Sequence, residues 1–349
     1  MPQFWKAPLQ ALLAAAALVV TLVPGHAQKL NAGLTNSASD VPFFIADKRG
    51  YFKAEGLEVE LIRFDSAAKM MAPLGTGEID VASGATSSAL YNAFKRGVLL
   101  RIVSDKAKNA PEHGFQAIMV RKDLIDSGKV KSMKDFKGLK VAVSAAGNSE
   151  SFLADYALRK SGLTIADVEP VYLGFPQHVA AYANGGIDAS LTVEPTLSTI
   201  VKAGTAVRFA GIDQIYPNFQ TAVIFYSEKF AKEQPEQAKK FMRALIHAAR
   251  DYNDALEHGH LTGPGADDVI KILTEYSFVK DPAVHRAITS QYFDPNGDVN
   301  VASLKDAWQF FKNTKQIDGS VTVDQVVDLS FAKWAANALG PYTKKKASN

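Results

Sequence analysis

The stretch Gly77-Glu78-Ile79-Asp80-Val81-Ala82 returns as Gly185-Gly186-Ile187-Asp188-Ala189-Ser190, and this echo sharply limits the folds open to the chain. Each copy places a turn glycine before an isoleucine and an aspartate, which then lead into a short apolar run. That is the pattern of a buried strand entered from a turn. Two further pairs keep the same spacing. Gly56-Leu57-Glu58-Val59 running to Phe64 resembles Gly162-Leu163 running through Asp167-Val168-Glu169 to Phe175, and Lys95-Arg96-Gly97 resembles Lys202-Ala203-Gly204. The offset, roughly 105 to 110 residues, is far longer than the unit of a solenoid. Two lobes of similar wiring are the simplest account.

Within the first copy, residues 30–34, 57–64, 79–82 and 98–103 read as strands, separated by helical patterns over 42–52, 67–74 and 87–96. Pro42 stands where a helix takes proline in its first turn. Such alternation predicts an α/β fold with mainly parallel sheets and helices on both faces. The chain has 349 residues, 47% of them hydrophobic, enough for two separate cores. A polar, aperiodic stretch at 104–111 and an irregular one at 211–218 are expected to be two crossings between lobes. Lobe 2 is then an insertion, 107–213, and lobe 1 comprises 28–106 and 214–349. Helices are expected over 235–256, 265–276, 281–293, 301–315 and 323–338, packed on lobe 1. Two lobes on a paired connector form a hinge.

The N-terminus carries Lys6, an apolar run from 9 to 23, and small residues ahead of Ala27. This is the layout of a cleavable secretory signal peptide, 1–27, cut after Ala27. The run is short of the about 20 residues that a bilayer span needs. The expected location is therefore the periplasm. The chain has no cysteine, which excludes thiol nucleophiles, zinc–thiolate sites and iron–sulfur clusters. With 39 basic against 36 acidic residues, its charge gives no support to nucleic acid as a partner.

In open α/β sheets, ligands bind at the carboxyl ends of strands, where helix N-termini present unpaired N–H groups. Short polar residues cluster at such junctions: Ser37, Ser39 and Asp40 before the first helix, Ser66 before the second, Thr86 and Ser87 before the third. In the second lobe Gly147, Asn148 and Ser149 stand in the same place. Each hydroxyl or amide can bind an anion or simply cap its helix. Phe43, Phe64, Phe175 and Phe219 fall near strand ends or crossings and are candidate cleft walls. Asp40 and Glu194 are the charged candidates, able to accept from a ligand amine or to pair with a lysine.

Catalytic and metal motifs are missing from the sequence: no His-Glu-x-x-His, Walker loop or Gly-x-Ser-x-Gly elbow is present. His258-Gly259-His260 with Asp267 and Asp268 reads as a solvated loop. Asp294-Pro295-Asn296-Gly297-Asp298 looks like a calcium loop but has Lys305 where the twelfth-position glutamate belongs. No catalytic residue, metal or cofactor is expected.

Residues 42–46 (Pro-Phe-Phe-Ile-Ala) followed by 49–60 (Arg-Gly-Tyr-Phe-Lys-Ala-Glu-Gly-Leu-Glu-Val-Glu) resemble the opening signature of periplasmic binding proteins of the sulfonate/nitrate/taurine and thiamine-precursor class. Gly77 to Val81, Lys134 to Val143, and Gly186 through Glu194-Pro195 resemble later elements of that family, in the right order. The resemblance implies a type II periplasmic binding fold and an ABC transporter permease as partner. It also implies a small-molecule ligand that is a sulfonate, a taurine-like zwitterion, an aromatic carboxylate or, alternatively, an aminopyrimidine, carried by a monomer that catalyses nothing. A periplasmic sensor is a further alternative. A related branch that makes the thiamine pyrimidine depends on a cysteine-rich motif, which this chain lacks.

Overall fold

The computed structural model describes Met1 and residues 28–35, 37–64 and 67–345. The leader and its cleavage point, and Ser66, lie outside the described residues.

Ten strands build two five-stranded sheets. In chain order they are β1 (Gln28–Leu34), β2 (Leu57–Arg63), β3 (Val81–Gly84), β4 (Leu100–Asn109), β5 (Gln116–Arg121), β6 (Lys140–Val143), β7 (Glu169–Tyr172), β8 (Ala189–Val193), β9 (Ala206–Gly211) and β10 (Phe219–Ser227). The first sheet runs β2-β1-β3-β10-β4 and the second β7-β6-β8-β5-β9. In the first, β1 pairs in parallel with β2 and β3, and β10 is antiparallel to β3 and β4. In the second, β6 pairs in parallel with β7 and β8, and β5 is antiparallel to β8 and β9. In each lobe the antiparallel strand is the one that arrives from the other lobe. The crossings are residues 110–115 and 212–218.

The repeated sequence has a repeated structural role. Gly77 and Gly185 turn with φ of 75° and 72°. Ile79 and Ile187 then insert into the cores, 1% and 0% exposed. The aspartate that follows clamps one residue of a parallel strand, in the middle of β1 and at the start of β6. Asp80 donates its N–H to Asn31 O (2.9 Å) and accepts from Asn31 N at Oδ2 (2.9 Å). Asp188 does the same with Lys140 O (2.9 Å) and Lys140 N (3.0 Å).

Four expectations are corrected, and three share a cause. The stretch 104–111 is no loose connector, because β4 continues to Asn109 and is buried over almost its whole length. As an edge strand, β4 has unpaired backbone groups on its outer side, and the C-terminal chain covers them. Asp105 N donates to Gly297 O, Lys108 N to Tyr292 O and Asp328 N to Ile102 O. These bonds draw residues 288–300 out of helix, so the helix expected over 281–293 forms only at Pro282–Ala287. The helix expected over 323–338 is split in the same way, into Val323–Val326 and Ser330–Leu339. Fourthly, the Val301–Asn313 helix does not pack on lobe 1 alone. Its Phe311 faces Tyr91 of lobe 1 (6.4 Å between ring centres), and its Phe310 faces Phe152 of lobe 2 (5.8 Å). Burial of such rings contributes about 1.5–3 kcal/mol each, so this helix ties the lobes together beside the two crossings.

Candidate functional site

The carboxyl ends of the parallel strands of both lobes face each other. In lobe 1 the loop after β1 carries a row of hydroxyls: Thr35 Oγ1 lies 3.0 Å from Ser37 Oγ, which lies 2.8 Å from Ser39 Oγ. Beneath the row, Lys106 Nζ sits 3.2 Å from Thr35 Oγ1 and 2.5 Å from Asp40 Oδ1. Both charged side chains are 0% exposed. Burial lowers the Lys106 ammonium from its usual range, and the Asp40 carboxylate opposes that fall. Asp40 also accepts from Ser37 N at 2.8 Å. Of the two roles open to Asp40, the structure shows the pairing with a lysine: the carboxylate is held by Lys106 and by its own loop.

The loops after β3 and β6 meet across the cleft. Ser88 N donates to Gly147 O (2.9 Å) and Ser149 N to Thr86 O (3.1 Å), so that Ser87 and Asn148 form an antiparallel bridge between lobes. The helices Ser88–Lys95 and Ser149–Arg159 thus each spend one N-terminal N–H on a loop carbonyl of the opposite lobe. Thr86 and Ser149 are 1% and 0% exposed. In the structure these two residues meet in a lobe-to-lobe contact. Asn148 caps its helix, accepting from Ser151 N at 3.0 Å. Gly147 has φ of 68°, and a side chain there would collide with Gln316 Oε1 and Ser88 Oγ.

Two carboxylates belong to lobe 2. Glu194 accepts from Ser198 N (3.0 Å) and Ser198 Oγ (2.9 Å). Glu150 accepts from Ser144 Oγ and Asn148 Nδ2, both neutral. Burial pushes both carboxyls above their ordinary range.

The aromatic candidates divide. Phe43 is core: it packs on Phe241 (6.2 Å) and borders a small cavity of about 10 Å³ inside lobe 1, with Pro42 and Ile246. It does not reach the cleft, because its face of the Val41–Lys48 helix turns toward the Pro235–Asp254 helix. Phe64, half-buried, packs beside the lobe 1 core. Phe219 stands among the ring systems between lobes, 5.6 Å from Phe152 and 5.2 Å from Tyr216. Phe175 rests on an apolar patch of Ala107, Phe115, Val193 and Ala222, drawn from both lobes.

Lys106 and Glu150 were missed in the sequence. Lys106 sits in a run of charges that resembles a solvated connector, yet neither glycine nor proline interrupts the strand before Pro111. That was the available signal. Glu150 looks like an ordinary first-turn acid of a helix. The two histidines of the other motif make separate contacts far along the chain: His258 contacts Glu112 (3.2 Å) and His260 contacts Ile288 O (3.1 Å). Asp294 Oδ1 accepts from Asn296 N and Asp298 N in a tight turn. Among the described residues no group of three or more His, Asp or Glu is placed to hold a metal ion.

Two equally wired α/β lobes, joined by a double crossing and apposed at their carboxyl edges, define the type II periplasmic binding fold. The nitrate-binding protein NrtA of Synechocystis PCC 6803 shares it, with a TM-score of 0.70, 17% identity and 89% of each chain covered. So does the sulphonate-binding protein SsuA of Escherichia coli, with a TM-score of 0.66, 19% identity, and 86% and 92% of the two chains covered. The chain belongs to the NMT1/THI5-like family, whose pattern matches residues 38–258. A binding protein of Brucella abortus (strain 2308) is 28% identical over 214 residues, 60% of this chain and 62% of its own length. The taurine-binding periplasmic protein of Escherichia coli (strain K12) is 25% identical over 248 residues, 69% of this chain and 71% of its own. An enzyme also matches, the 4-amino-5-hydroxymethyl-2-methylpyrimidine phosphate synthase of Aspergillus parasiticus, 25% identical over 231 residues, 60% of this chain and 62% of its own.

Proposed function

We propose that the chain is a periplasmic solute-binding protein that captures a small organic anion by lobe closure and delivers it to an ABC permease. The observation that carries this reading is the facing of the two carboxyl edges, joined at Ser87 and Asn148. A ligand bound between them is enclosed by both lobes, and loss of water strengthens every polar contact it makes. On lobe 1, the hydroxyl row with Lys106 beneath it suits an oxyanion such as a sulfonate or carboxylate. On lobe 2, Glu150 and Glu194 suit a cationic end, so a taurine-like zwitterion uses both sides. Those same carboxylates favour a second reading, an aminopyrimidine as the ligand. In this reading lobe 1 is 28–109 with 219–349 and lobe 2 is 116–211, the leader 1–27 is removed on export and the mature chain is monomeric. Lack of cysteine supports binding without the chemistry of the pyrimidine-forming relatives.

A thermal-shift screen against sulfonates, aromatic acids, nitrate and pyrimidines tests the reading, because a ligand of the native state raises the melting temperature. Stabilisation by a sulfonate or a zwitterion is the expected result. Stabilisation by pyrimidines alone overturns the anion reading in favour of the second one.

A further inference from the structure

Where the chain first crosses between lobes, three polar side chains meet away from solvent. Asn109 ends β4, Gln116 begins β5, and Thr221 lies in β10. The first two are 0% exposed and the third 6%. Asn109 Nδ2 donates to Gln116 Oε1 (2.6 Å) and to Thr221 Oγ1 (2.7 Å), and Thr221 Oγ1 donates to Gln116 Oε1 (3.0 Å). Asn109 Oδ1 and Gln116 Nε2 are left buried with no hydrogen-bond partner. Buried polar groups in native proteins are nearly always paired, so an unpaired acceptor and an unpaired donor on two touching side chains need a reason. The amide orientations do not supply it. Turning both amides over exchanges the two residues' roles, satisfies Thr221 equally, and again leaves one donor and one acceptor.

The surroundings are those of a small-ligand site. Ala107 precedes Asn109 by two residues in β4, Phe115 adjoins Gln116, and Ala222 adjoins Thr221. With Val193 and the half-buried Phe175 these form one apolar patch contributed by both lobes. Ser149 of the bridging loop reaches the same place, its Oγ 3.5 Å from Thr221 O. An apolar wall with a few fixed polar groups is how binding sites orient a small molecule.

We propose that Asn109 and Gln116 are specificity-determining residues that together read a ligand group offering a donor beside an acceptor. An ammonium next to an oxyanion meets this requirement, as does the amino and ring-nitrogen edge of an aminated heterocycle. A plain alkylsulfonate supplies acceptors alone, leaves one of the two buried atoms unpaired and is rejected on that account. The inference rests on the solute-binding reading and narrows its ligand class.

The test compares wild-type full chain with the near-isosteric triple variant Asn109→Leu/Gln116→Met/Thr221→Val, which leaves no hydroxyl of the triad orphaned, by thermal melting. Each is melted without additive and with taurine, 4-aminopyrimidine or ethanesulfonate. The variant without additive is expected to melt higher than wild type, because two unpaired buried polar atoms are gone. Taurine or 4-aminopyrimidine is expected to raise the wild-type melting temperature by about 3 °C or more at saturating concentration, ethanesulfonate by less, and the variant's preference is expected to vanish. The responding compound, taurine or 4-aminopyrimidine, tells which source of the shared chemistry applies. A variant that melts lower shows that the triad serves folding or holds water, and overturns the proposal. If no probe shifts the wild type, the solute-binding reading falls and this proposal with it, whereas a preference that survives in the variant overturns the proposal alone. Should the triple variant fail to fold, Gln116→Glu, which keeps the acceptor and removes the donor, is expected to lose the preference and overturns the proposal if it keeps it.

Discussion

Asp80 and Asp188 hold the same backbone positions in the two lobes. Each bonds both N–H and carboxylate to one residue of a parallel strand, Asn31 of β1 and Lys140 of β6, and each offers its carbonyl to the strand arriving from the other lobe. Ser227 N donates to Asp80 O at 3.0 Å and Arg121 N to Asp188 O at 2.9 Å. One residue thus fastens three chain segments per lobe. Asp80→Ala and Asp188→Ala are each expected to leave a strand N–H without its carboxylate partner and to cost about 1–3 kcal/mol. The sites lie in different lobes, so the two losses are expected to add in urea unfolding of the double variant. A clear departure from additivity contradicts the picture of two equivalent, separately fastened halves.

The buried pair of Lys106 and Asp40 gives a second expectation. Lys106→Met removes one partner and leaves a charged carboxylate with no counter-ion, a change that costs about 3–5 kcal/mol in comparable pairs. Replacing both residues, with Asp40→Asn added, is expected to restore most of the stability and none of the anion affinity. Chemical denaturation and calorimetry of a sulfonate that stabilises the wild type read these out separately.

Asp105 carries a pH dependence. Burial raises its carboxyl to about 6, partly offset by Lys108, Asp294 N and Gln220. A carboxyl raised on folding holds its proton more tightly in the native state, so its contribution to stability is present below about 3.8 and is lost as pH rises through about 6. Asp105→Asn has no such loss. The melting temperature of the variant relative to wild type is therefore expected to improve from pH 5 to pH 7.5, and a difference that does not vary with pH contradicts the assignment.

Much of this architecture was legible. The Gly-x-Ile-Asp copies fixed the duplicated wiring because a turn glycine, a core isoleucine and a bracketing aspartate are local requirements. The long Pro235–Asp254 helix showed its period in the same way. What escaped reading depended on partners far along the chain. The polar face of β4 is satisfied by residues near 292, 297 and 328, so its alternation was hidden and the helices expected there were broken. Lys106 is buried only because Asp40, sixty-six positions earlier, lies beneath the same loop. The cleft loops after β3 and β6 were found by rule, but their bonding to one another is a property of lobe placement, which no local pattern encodes.

Closure of the lobes is the central claim, and Gly147 gives access to it. Gly147→Ala places a methyl group against Gln316 and Ser88 in a left-handed backbone position, so it opposes the bridge between lobes without touching either core. Because the chain has no cysteine, Arg96→Cys in lobe 1 and Tyr172→Cys in lobe 2 can be spin-labelled selectively and the distance between them measured by electron–electron dipolar spectroscopy. The account predicts one short, narrow distance with a stabilising ligand, and a longer, broader distribution when Gly147→Ala is added. A distance unmoved by both the ligand and the substitution would contradict it.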